Sequence, residues 1–247
     1  MTDTQSRRTA IVTGASRGIG AAIAQRLARD GIAIIVNFAG DVQAAEAVVS
    51  SIRTAGGQAE AVKADVSDPA AARRLFDAAE KSFGGVDVIV NNAGIMPLAT
   101  IAASDDAMFD RLIAVNLKGS FNMMREAATR LRRGGRIINL SSSVVGLLQP
   151  TYGVYAGTKA AVEAMTSVLA KEMRGREITV NAIAPGPVAT DLFLNGKSPE
   201  LVERIAKIAP LERLGQPEEI AAAVAFLAGP DGAWINGQTL RANGGMI

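Results

Sequence analysis

The feature that most constrains the fold is an alternation of short apolar runs with helical patterns. The runs are rich in Ile, Val and Ala and show no polar alternation, which is typical of strands buried on both faces of a parallel sheet covered by helices. Right-handed crossovers then favour a doubly wound α/β sheet with the order 3-2-1-4-5-6-7. The seven predicted strands are Thr9–Thr13, Ala33–Asn37, Ala59–Lys63, Val86–Val90, Arg136–Leu140, Ile178–Ile183 and Gln238–Arg241.

Two intervening segments show how helices cover this sheet. Ile19–Ala28 places Ile23 and Leu27 four residues apart, on one helical face. Asp68–Phe83 follows a Ser-Asp pair typical of a helix start and carries one apolar stripe. No linker or low-complexity stretch interrupts the 247 residues, so we expect one domain over residues 1–247.

The chain contains neither histidine nor cysteine. This composition excludes disulfides, thiolate nucleophiles, imidazole bases and the usual zinc ligand sets. We therefore expect no metal centre. Any proton transfer near neutral pH must involve Asp, Glu, Lys or Tyr.

The charge pattern argues against polymeric partners. The formal net charge is only +2, and the Lys and Arg residues are scattered along the chain, whereas nucleic acid or anionic membranes require a concentrated basic face. No apolar run reaches the roughly 18–20 residues of a membrane span, and the start, Met1–Ser6, is polar. We expect a cytoplasmic protein with a small-molecule partner.

A glycine-rich loop, Thr13–Gly20, joins the first strand to a helical pattern. Glycine permits positive φ and close approach of the backbone, and the helix N-terminus behind the loop offers free N–H groups to a pyrophosphate. The alternative interpretation is that the glycines serve only the tight packing of the strand against the helix. We predict a dinucleotide, with contacts from Gly14, Ser16, Arg17, Gly18, Ile19 and Gly20.

The end of the second strand indicates which dinucleotide. Enzymes that use NAD often place a carboxylate there on the ribose 2′-hydroxyl, but the segment Ile34–Gly40 contains none. Arg17 in the glycine loop can instead reach a 2′-phosphate, and Asn37 is a further candidate contact. Asp41 is predicted to cap the next helix. These features favour NADP.

A tyrosine and a lysine stand four residues apart, at Tyr155 and Lys159, and hence on one face of a helix. Alone this spacing is weak evidence. The triple serine Ser141–Ser143 strengthens it, because it follows a buried strand, and ligands bind at the carboxyl ends of strands in such sheets. A serine hydroxyl there can hold a carbonyl oxygen while the tyrosine supplies the proton.

Together these motifs resemble the short-chain dehydrogenase/reductase family over nearly the whole chain, which implies a single-domain Rossmann fold. Within the family, the chain is most similar to 3-oxoacyl-[acyl-carrier-protein] reductases. Six segments carry the resemblance: Thr13–Gly20, Asn91–Gly94, Asn116, Ser142, Tyr155 with Lys159, and Pro185–Thr190.

The resemblance implies four catalytic roles. Tyr155 is the acid/base, and Lys159 lowers its pKa and binds the nicotinamide ribose. Ser142 polarises the carbonyl, although Ser143 stays open because three serines are consecutive. Asn116 supports a water-linked proton path; its alternative role is a hydrogen bond to a neighbouring backbone group. The implied cofactor contacts add Asp65, Val66, Asn92, Ala93, Gly94, Tyr155, Lys159, Pro185, Gly186, Val188 and Thr190.

The predicted reaction is NADP(H)-dependent reduction of a ketone, of 3-oxoacyl type or another carbonyl. A sugar, steroid or xenobiotic carbonyl is the alternative substrate. Two alternative functions belong to other classes of protein: a non-catalytic NADP-binding module and a methyltransferase that uses S-adenosylmethionine. The resemblance also implies a homotetramer and a substrate lid at about residues 190–212.

Overall fold

The structure is a computed structural model that describes residues 7–247; the polar start Met1–Ser6 lies outside the described residues. All seven strands form one parallel sheet in the order 3-2-1-4-5-6-7, as predicted. The strands are β1 Thr9–Val12, β2 Ala33–Phe38, β3 Ala59–Lys63, β4 Val86–Asn91, β5 Leu131–Leu140, β6 Thr179–Pro185 and β7 Thr239–Ala242.

Helices cover both faces of this sheet. The predicted segments 19–28 and 68–83 are confirmed as helices, with Asp68 as the N-cap of the second, and Asp41 caps the helix after β2 as expected. The helices are α1 Gly18–Arg29, α2 Val42–Thr54, α3 Pro69–Phe83, α4 Asp106–Leu112, α5 Gly119–Arg130, α6 Val144–Leu147, α7 Gly153–Glu172, α8 Asp191–Leu194, α9 Pro199–Ala206 and α10 Pro217–Ala228; a π-helical segment, Ile113–Lys118, joins α4 to α5.

The core consists of two apolar layers, one on each face of the sheet. Val12 of β1 packs into the layer with α1, α2 and α10, and its neighbour Ile11 packs into the layer with α3 and α5. Because successive side chains of a strand point to opposite faces, each central strand must be apolar throughout. This explains the uninterrupted Ile and Val runs.

The fifth strand is five residues longer than predicted. It begins at Leu131, which pairs with Val86, and the register shifts before Arg136 pairs with Val88. The added residues 132–135 are two arginines and two glycines. Polar and glycine residues do not form an apolar run, so the periodicity could not reveal this part of the strand.

The chain reverses its direction across the sheet at β1 and β4. β2 and β3 lie on one side of β1, whereas β4 to β7 lie on the other. The loops after β1 and β4 therefore diverge and leave a crevice at the carboxyl edge of the sheet, where open α/β sheets bind ligands. Across the part of the chain that the structure describes, no helix combines the length and apolarity needed to cross a membrane.

Candidate active site

Two adjoining cavities occupy this carboxyl edge. The first, which we call the groove, has a volume of about 1500 Å³ and lies between the glycine loop, the end of β2 and the loop after β4. The second, which we call the substrate cavity, has a volume of about 1020 Å³ including its open mouth. It contains Ser142, Tyr155 and Lys159, so the sheet brings the two predicted sites side by side.

The glycine loop is fixed to the loop after β4 by hydrogen bonds. Asn92 Nδ2 donates to the carbonyl oxygens of Thr13 at 2.9 Å and Gly14 at 3.0 Å. The Thr13 hydroxyl accepts from the backbone N–H groups of Asn92 and Ala93, both at 3.0 Å. A Cβ on Gly20 would lie 2.4 Å from the Gly14 carbonyl oxygen. Gly20 therefore serves the tight packing of this loop, which was the alternative interpretation of the glycine-rich turn.

The N-terminus of α1 faces the groove without a competing cap. Arg17 is the N-cap residue, but its side chain makes no capping hydrogen bond, and the first turn contains no acidic residue. Gly18 has a φ of +54°, a conformation that favours glycine. Uncapped N–H groups and the positive end of the helix dipole form an anion site. This end of the groove fits the pyrophosphate of a dinucleotide.

The residues predicted to choose the cofactor also line the groove. Arg17 is exposed there, and the Asp41 carboxylate accepts from Ala44 N at 2.9 Å as a helix cap. Asn37 is 1% exposed; its oxygen accepts from Gly14 N at 3.2 Å and its nitrogen donates to the Ala64 carbonyl at 2.9 Å. Asn37 thus forms part of the wall, and its contact with a phosphate stays a prediction.

Asp65 and Val66 also line the groove. The Asp65 carboxylate accepts from Ser67 N at 2.9 Å, which is the turn role considered as its alternative. Its other oxygen has no hydrogen bond assigned among the described residues, so the turn does not use the whole carboxylate. The predicted adenine contact is compatible with this position.

Lys159 lies in the interior, one helical turn after Tyr155 on α7. It is 5% exposed, and its Nζ donates to the Leu140 carbonyl at the end of β5, at 2.7 Å. Burial lowers the pKa of Lys159 to about 8, because a cation loses its hydration there. The Nζ atom is 5.8 Å from the centroid of the Tyr155 ring. The ammonium group and the phenol therefore share one site.

Burial raises the pKa of Tyr155 to about 12, because desolvation disfavours the phenolate. The hydroxyl of Ser142 acts in the opposite direction, and the neighbouring Tyr152 adds to the rise. This shift is opposite to the lowered pKa that the resemblance implied. The phenol is protonated near neutral pH, as a proton donor must be.

The three consecutive serines have different partners. Ser141 Oγ donates to Glu163 Oε1 at 2.5 Å. Ser143 Oγ donates to the Ala184 carbonyl at 3.1 Å and accepts from Asn243 Nδ2 at 2.9 Å. Ser142 alone of the three lies beside the Tyr155 hydroxyl. Both neighbours are thus engaged in holding the loop, and Ser142 faces the phenol.

Asn116 lies in the π-helical segment and is fully buried. Its oxygen accepts from Ile95 N at 2.8 Å, and its nitrogen donates to the Ile95 carbonyl at 2.9 Å. These bonds fix the segment after the Asn91–Gly94 turn, which is the backbone role considered above. π-helical turns occur frequently at functional sites, and the water-linked path stays a prediction.

The turn after β6 closes the edge of both cavities. Pro185, Gly186 and Val188 line the substrate cavity, and Thr190 lines both cavities. The methyl carbon of Thr190 is 3.4 Å from where a Cβ on Gly18 would stand, so the turn reaches the glycine loop. The predicted cofactor contacts after β1, β4 and β6 therefore surround one continuous crevice.

Sequence reasoning missed several side chains that line the substrate cavity. Among them are Met96, Leu147, Gln149, Tyr152 and Met246. Only Tyr152 carried a local signal, since it precedes Tyr155 by one helical turn; the two rings pack edge to face with centroids 6.4 Å apart. Across residues 7–247 no group of His, Cys, Asp and Glu could hold a metal ion.

The order of the sheet and the tyrosine–lysine pair beside a glycine loop define a Rossmann-type oxidoreductase. Residues 14–247 match the family model described as enoyl-(acyl carrier protein) reductase. A short-chain type dehydrogenase/reductase of Picea abies is 48% identical, over 97% of this chain and 92% of the relative. This chain therefore belongs to the short-chain dehydrogenase/reductase family, as the motifs predicted.

Two further relatives bear on the chemistry. An NADPH-dependent aldehyde reductase-like protein, chloroplastic, of Arabidopsis thaliana is 46% identical over 97% of this chain and 94% of its own length. The crystal structure of a short-chain dehydrogenase from Burkholderia cenocepacia in complex with NADP superposes with a TM-score of 0.92 at 36% identity, over 98% of both chains.

Proposed function

We propose that this enzyme reduces a carbonyl compound to an alcohol with NADPH, and that Tyr155 donates the proton. The observation that carries the proposal is the meeting of Ser142, Tyr155 and Lys159 in one cavity beside the groove. A non-catalytic module or a methyltransferase would leave this buried arrangement without a use.

Three features of the groove support NADP as the cofactor. The uncapped start of α1 suits a pyrophosphate, Arg17 is exposed beside it, and the nearest acid, Asp41, is engaged as a helix cap. A 2′-phosphate is attracted by the guanidinium of Arg17 and would be repelled by a free carboxylate. Relatives described as NADPH-dependent or NADP-bound agree with this choice.

In the proposed reaction, bound NADPH supplies the hydride. Ser142 donates a hydrogen bond to the carbonyl oxygen and increases the partial charge on the carbon. The Tyr155 phenol, which is protonated near neutral pH, gives its proton to the same oxygen as negative charge develops there. Lys159 then stabilises the phenolate electrostatically from its buried position on the next turn of α7.

The substrate is proposed only as a carbonyl compound. A 3-oxoacyl thioester was the first expectation from sequence, with sugar, steroid and xenobiotic carbonyls as alternatives. The relatives carry other descriptions, including aldehyde reductases and a fungal versicolorin reductase that is 41% identical. The relatives therefore do not agree on one substrate, and the lining of the substrate cavity is the remaining guide to it.

The test is NADPH oxidation, followed by absorbance, with aldehydes, β-keto esters, acetoacetyl thioesters, quinones, sugars and steroids. Tyr155→Phe should lower kcat by about 10²–10⁴-fold, since general acid catalysis contributes that much. The NADPH Kd, measured by fluorescence, should stay within about twofold because the ring remains. Near-normal turnover in Tyr155→Phe would refute the role of Tyr155.

We also propose a lid, an assembly and a location for this enzyme. The segment 190–212 contributes Leu192, Phe193, Ile205 and Ile208 to the substrate cavity, which supports its proposed role as a lid. Trp234 is 98% exposed, and aromatic side chains are enriched at subunit interfaces, so we propose this side chain as a contact in the homotetramer. Light scattering of the purified protein tests that assembly. Cytoplasmic location stays a prediction, tested by imaging a tagged chain.

A further inference from the structure

The substrate cavity has a polar floor and apolar walls. The floor is the serine loop with Tyr155 and Lys159, where the carbonyl group reacts in the proposed function. Apart from Asn92, Gln149, Thr190 and the hydroxyl of Tyr152, the side chains above this floor are aliphatic, aromatic or thioether. The walls include Met96, Leu147, Leu192, Phe193, Ile205 and Met246.

Charge is nearly missing from this lining. Among the described residues that border the cavity, Lys159 is the only charged one. Its Nζ donates to the Leu140 carbonyl and is 5% exposed, so it belongs to the reacting end. A substrate anion placed between the walls would lose hydration without gaining a charged partner there, which is unfavourable.

The end of the chain forms one of these walls. The carboxamide oxygen of Asn243 accepts from Gly245 N at 3.1 Å and Met246 N at 3.2 Å, and its nitrogen donates to Ser143 Oγ. This closes residues 243–246 into a hook against the serine loop. The hook holds the half-buried Met246 in the lining of the cavity.

The hook also contacts the end of the proposed lid. A Cβ on Gly244 would stand 3.2 Å from Ala209 Cβ, and one on Gly245 would stand 3.3 Å from the Pro210 ring. Both glycines have positive φ, which lets the backbone turn within this space. Met246 is therefore held between the serine loop and the lid segment, where it can limit what lies beside the carbonyl.

We propose that the substrate is an uncharged carbonyl compound with an apolar body, and that Met246 is a specificity-determining wall for that body. This inference rests on the proposed reductase function. It disfavours substrates that carry a carboxylate or phosphate on the body that the walls contact. An apolar body gains from burial against the walls, whereas an anion there remains unpaired.

The first experiment compares methyl 4-formylbenzoate with 4-formylbenzoate at pH 7, where the carboxylate is ionised. The two aldehydes share a skeleton, but the ester withdraws electrons from the ring more strongly than the carboxylate does, so the enzymatic ratio is divided by the ratio for borohydride reduction of the same pair. We expect kcat/KM for the ester to exceed that for the anion by about 100-fold or more, as for an unpaired charge in an apolar site. Equal values would overturn the inference.

The second experiment adds a cation to the wall with Met246→Arg. The ester-to-anion ratio of kcat/KM should fall at least about tenfold, because the guanidinium now pairs with the carboxylate. Met246→Gln controls for polarity, and Ile247→Arg adds the same charge at the next residue, which does not line the substrate cavity. Ratios that fall equally in Met246→Arg and Ile247→Arg would refute the wall assigned to Met246.

The outcomes separate this inference from the function on which it rests. If NADPH binds but neither aldehyde nor any compound of the wider panel is reduced, the proposed function fails. If both aldehydes are reduced equally well, the reductase stands and the substrate class is wrong. A normal melting temperature for each variant shows that the measured ratios belong to folded enzyme.

Discussion

Ser141 Oγ donates a 2.5 Å hydrogen bond to Glu163 Oε1, and Glu163 lies one helical turn beyond Lys159 on α7. The bond ties the first serine after β5 to the helix that carries Tyr155. Ser141 is 4% exposed, so its hydroxyl depends on this protein partner. The serine loop and the helix are thereby held in one arrangement.

Glu163→Ala should loosen this arrangement. Loss of a charge-assisted hydrogen bond to a buried hydroxyl costs about 1–3 kcal/mol, which for a chain of this size lowers Tm by roughly 2–10 °C. Because the loop carries Ser142, kcat should also fall, whereas the NADPH Kd should not change. Glu163→Gln retains an acceptor and should recover most of both losses. Equal behaviour of the two variants would show that the bond has no positioning role.

The buried lysine should make stability depend on pH. Burial lowers the pKa of Lys159 from 10.5 to about 8, so between these values the unfolded chain binds a proton that the folded chain does not. Stability contributed by this site therefore rises with pH through that window, by at most about 1.4 kcal/mol per pH unit. Below pH 8 the cost of burying the cation applies in full.

Lys159→Met isolates this effect from all other titrating groups. Urea unfolding of both proteins at pH 7, 8, 9 and 10 gives the difference in free energy of unfolding at each pH. The variant should gain most over the natural chain at pH 7, and its advantage should shrink as pH rises. The opposite contribution of Tyr155 belongs above pH 10, because its pKa is raised from 10 to about 12. A difference that does not vary with pH would contradict a lowered pKa at Lys159.

Arg17→Gln tests which cofactor the groove selects. The NADPH Kd should rise about tenfold or more, because a charge-assisted bond to the 2′-phosphate is lost, while the NADH Kd should stay the same. Arg29→Gln removes another exposed arginine, from the last turn of the same helix, and serves as the control. If both cofactors weaken equally in Arg17→Gln, the arginine binds the shared pyrophosphate and does not discriminate.

The sequence predicted those parts of the molecule that depend on local pattern. Buried strands appear in the sequence as apolar runs. The glycine-rich segment Thr13–Gly20 is recognised as a binding loop because it comes directly after β1 and leads into α1. The choice between Ser142 and Ser143 could not be made locally, because three identical side chains follow one another. It depends on the register of β5 against β6, which places the Ser143 hydroxyl on the Ala184 carbonyl.

The hook was beyond sequence reasoning for the same reason. Asn243 and Ser143 are 100 residues apart, and nothing in either segment indicates that they meet. Their contact follows from β7 lying beside β6 at the edge of the sheet, which returns the chain end to the serine loop. Residues whose role arises only from such long-range contacts carry no periodic or motif signal.

Asn243→Ala should therefore impair both stability and substrate use. Asn243 is 9% exposed, and removing its carboxamide leaves Ser143 Oγ without its donor and frees two backbone N–H groups of the hook. We expect a loss of about 1–3 kcal/mol, together with a severalfold rise in KM for the carbonyl substrate, because Met246 is no longer held.

The matched control is Asn236→Ala. Asn236 Oδ1 accepts from Val180 N at 2.8 Å near β6, and Asn236 does not line the substrate cavity. Its loss should lower the free energy of unfolding without changing KM. Urea unfolding measures the first quantity and steady-state kinetics the second. A KM that stays constant in Asn243→Ala as well would mean that the hook stabilises the fold but does not shape the site. A rise confined to Asn243→Ala ties the end of the chain to recognition of the substrate.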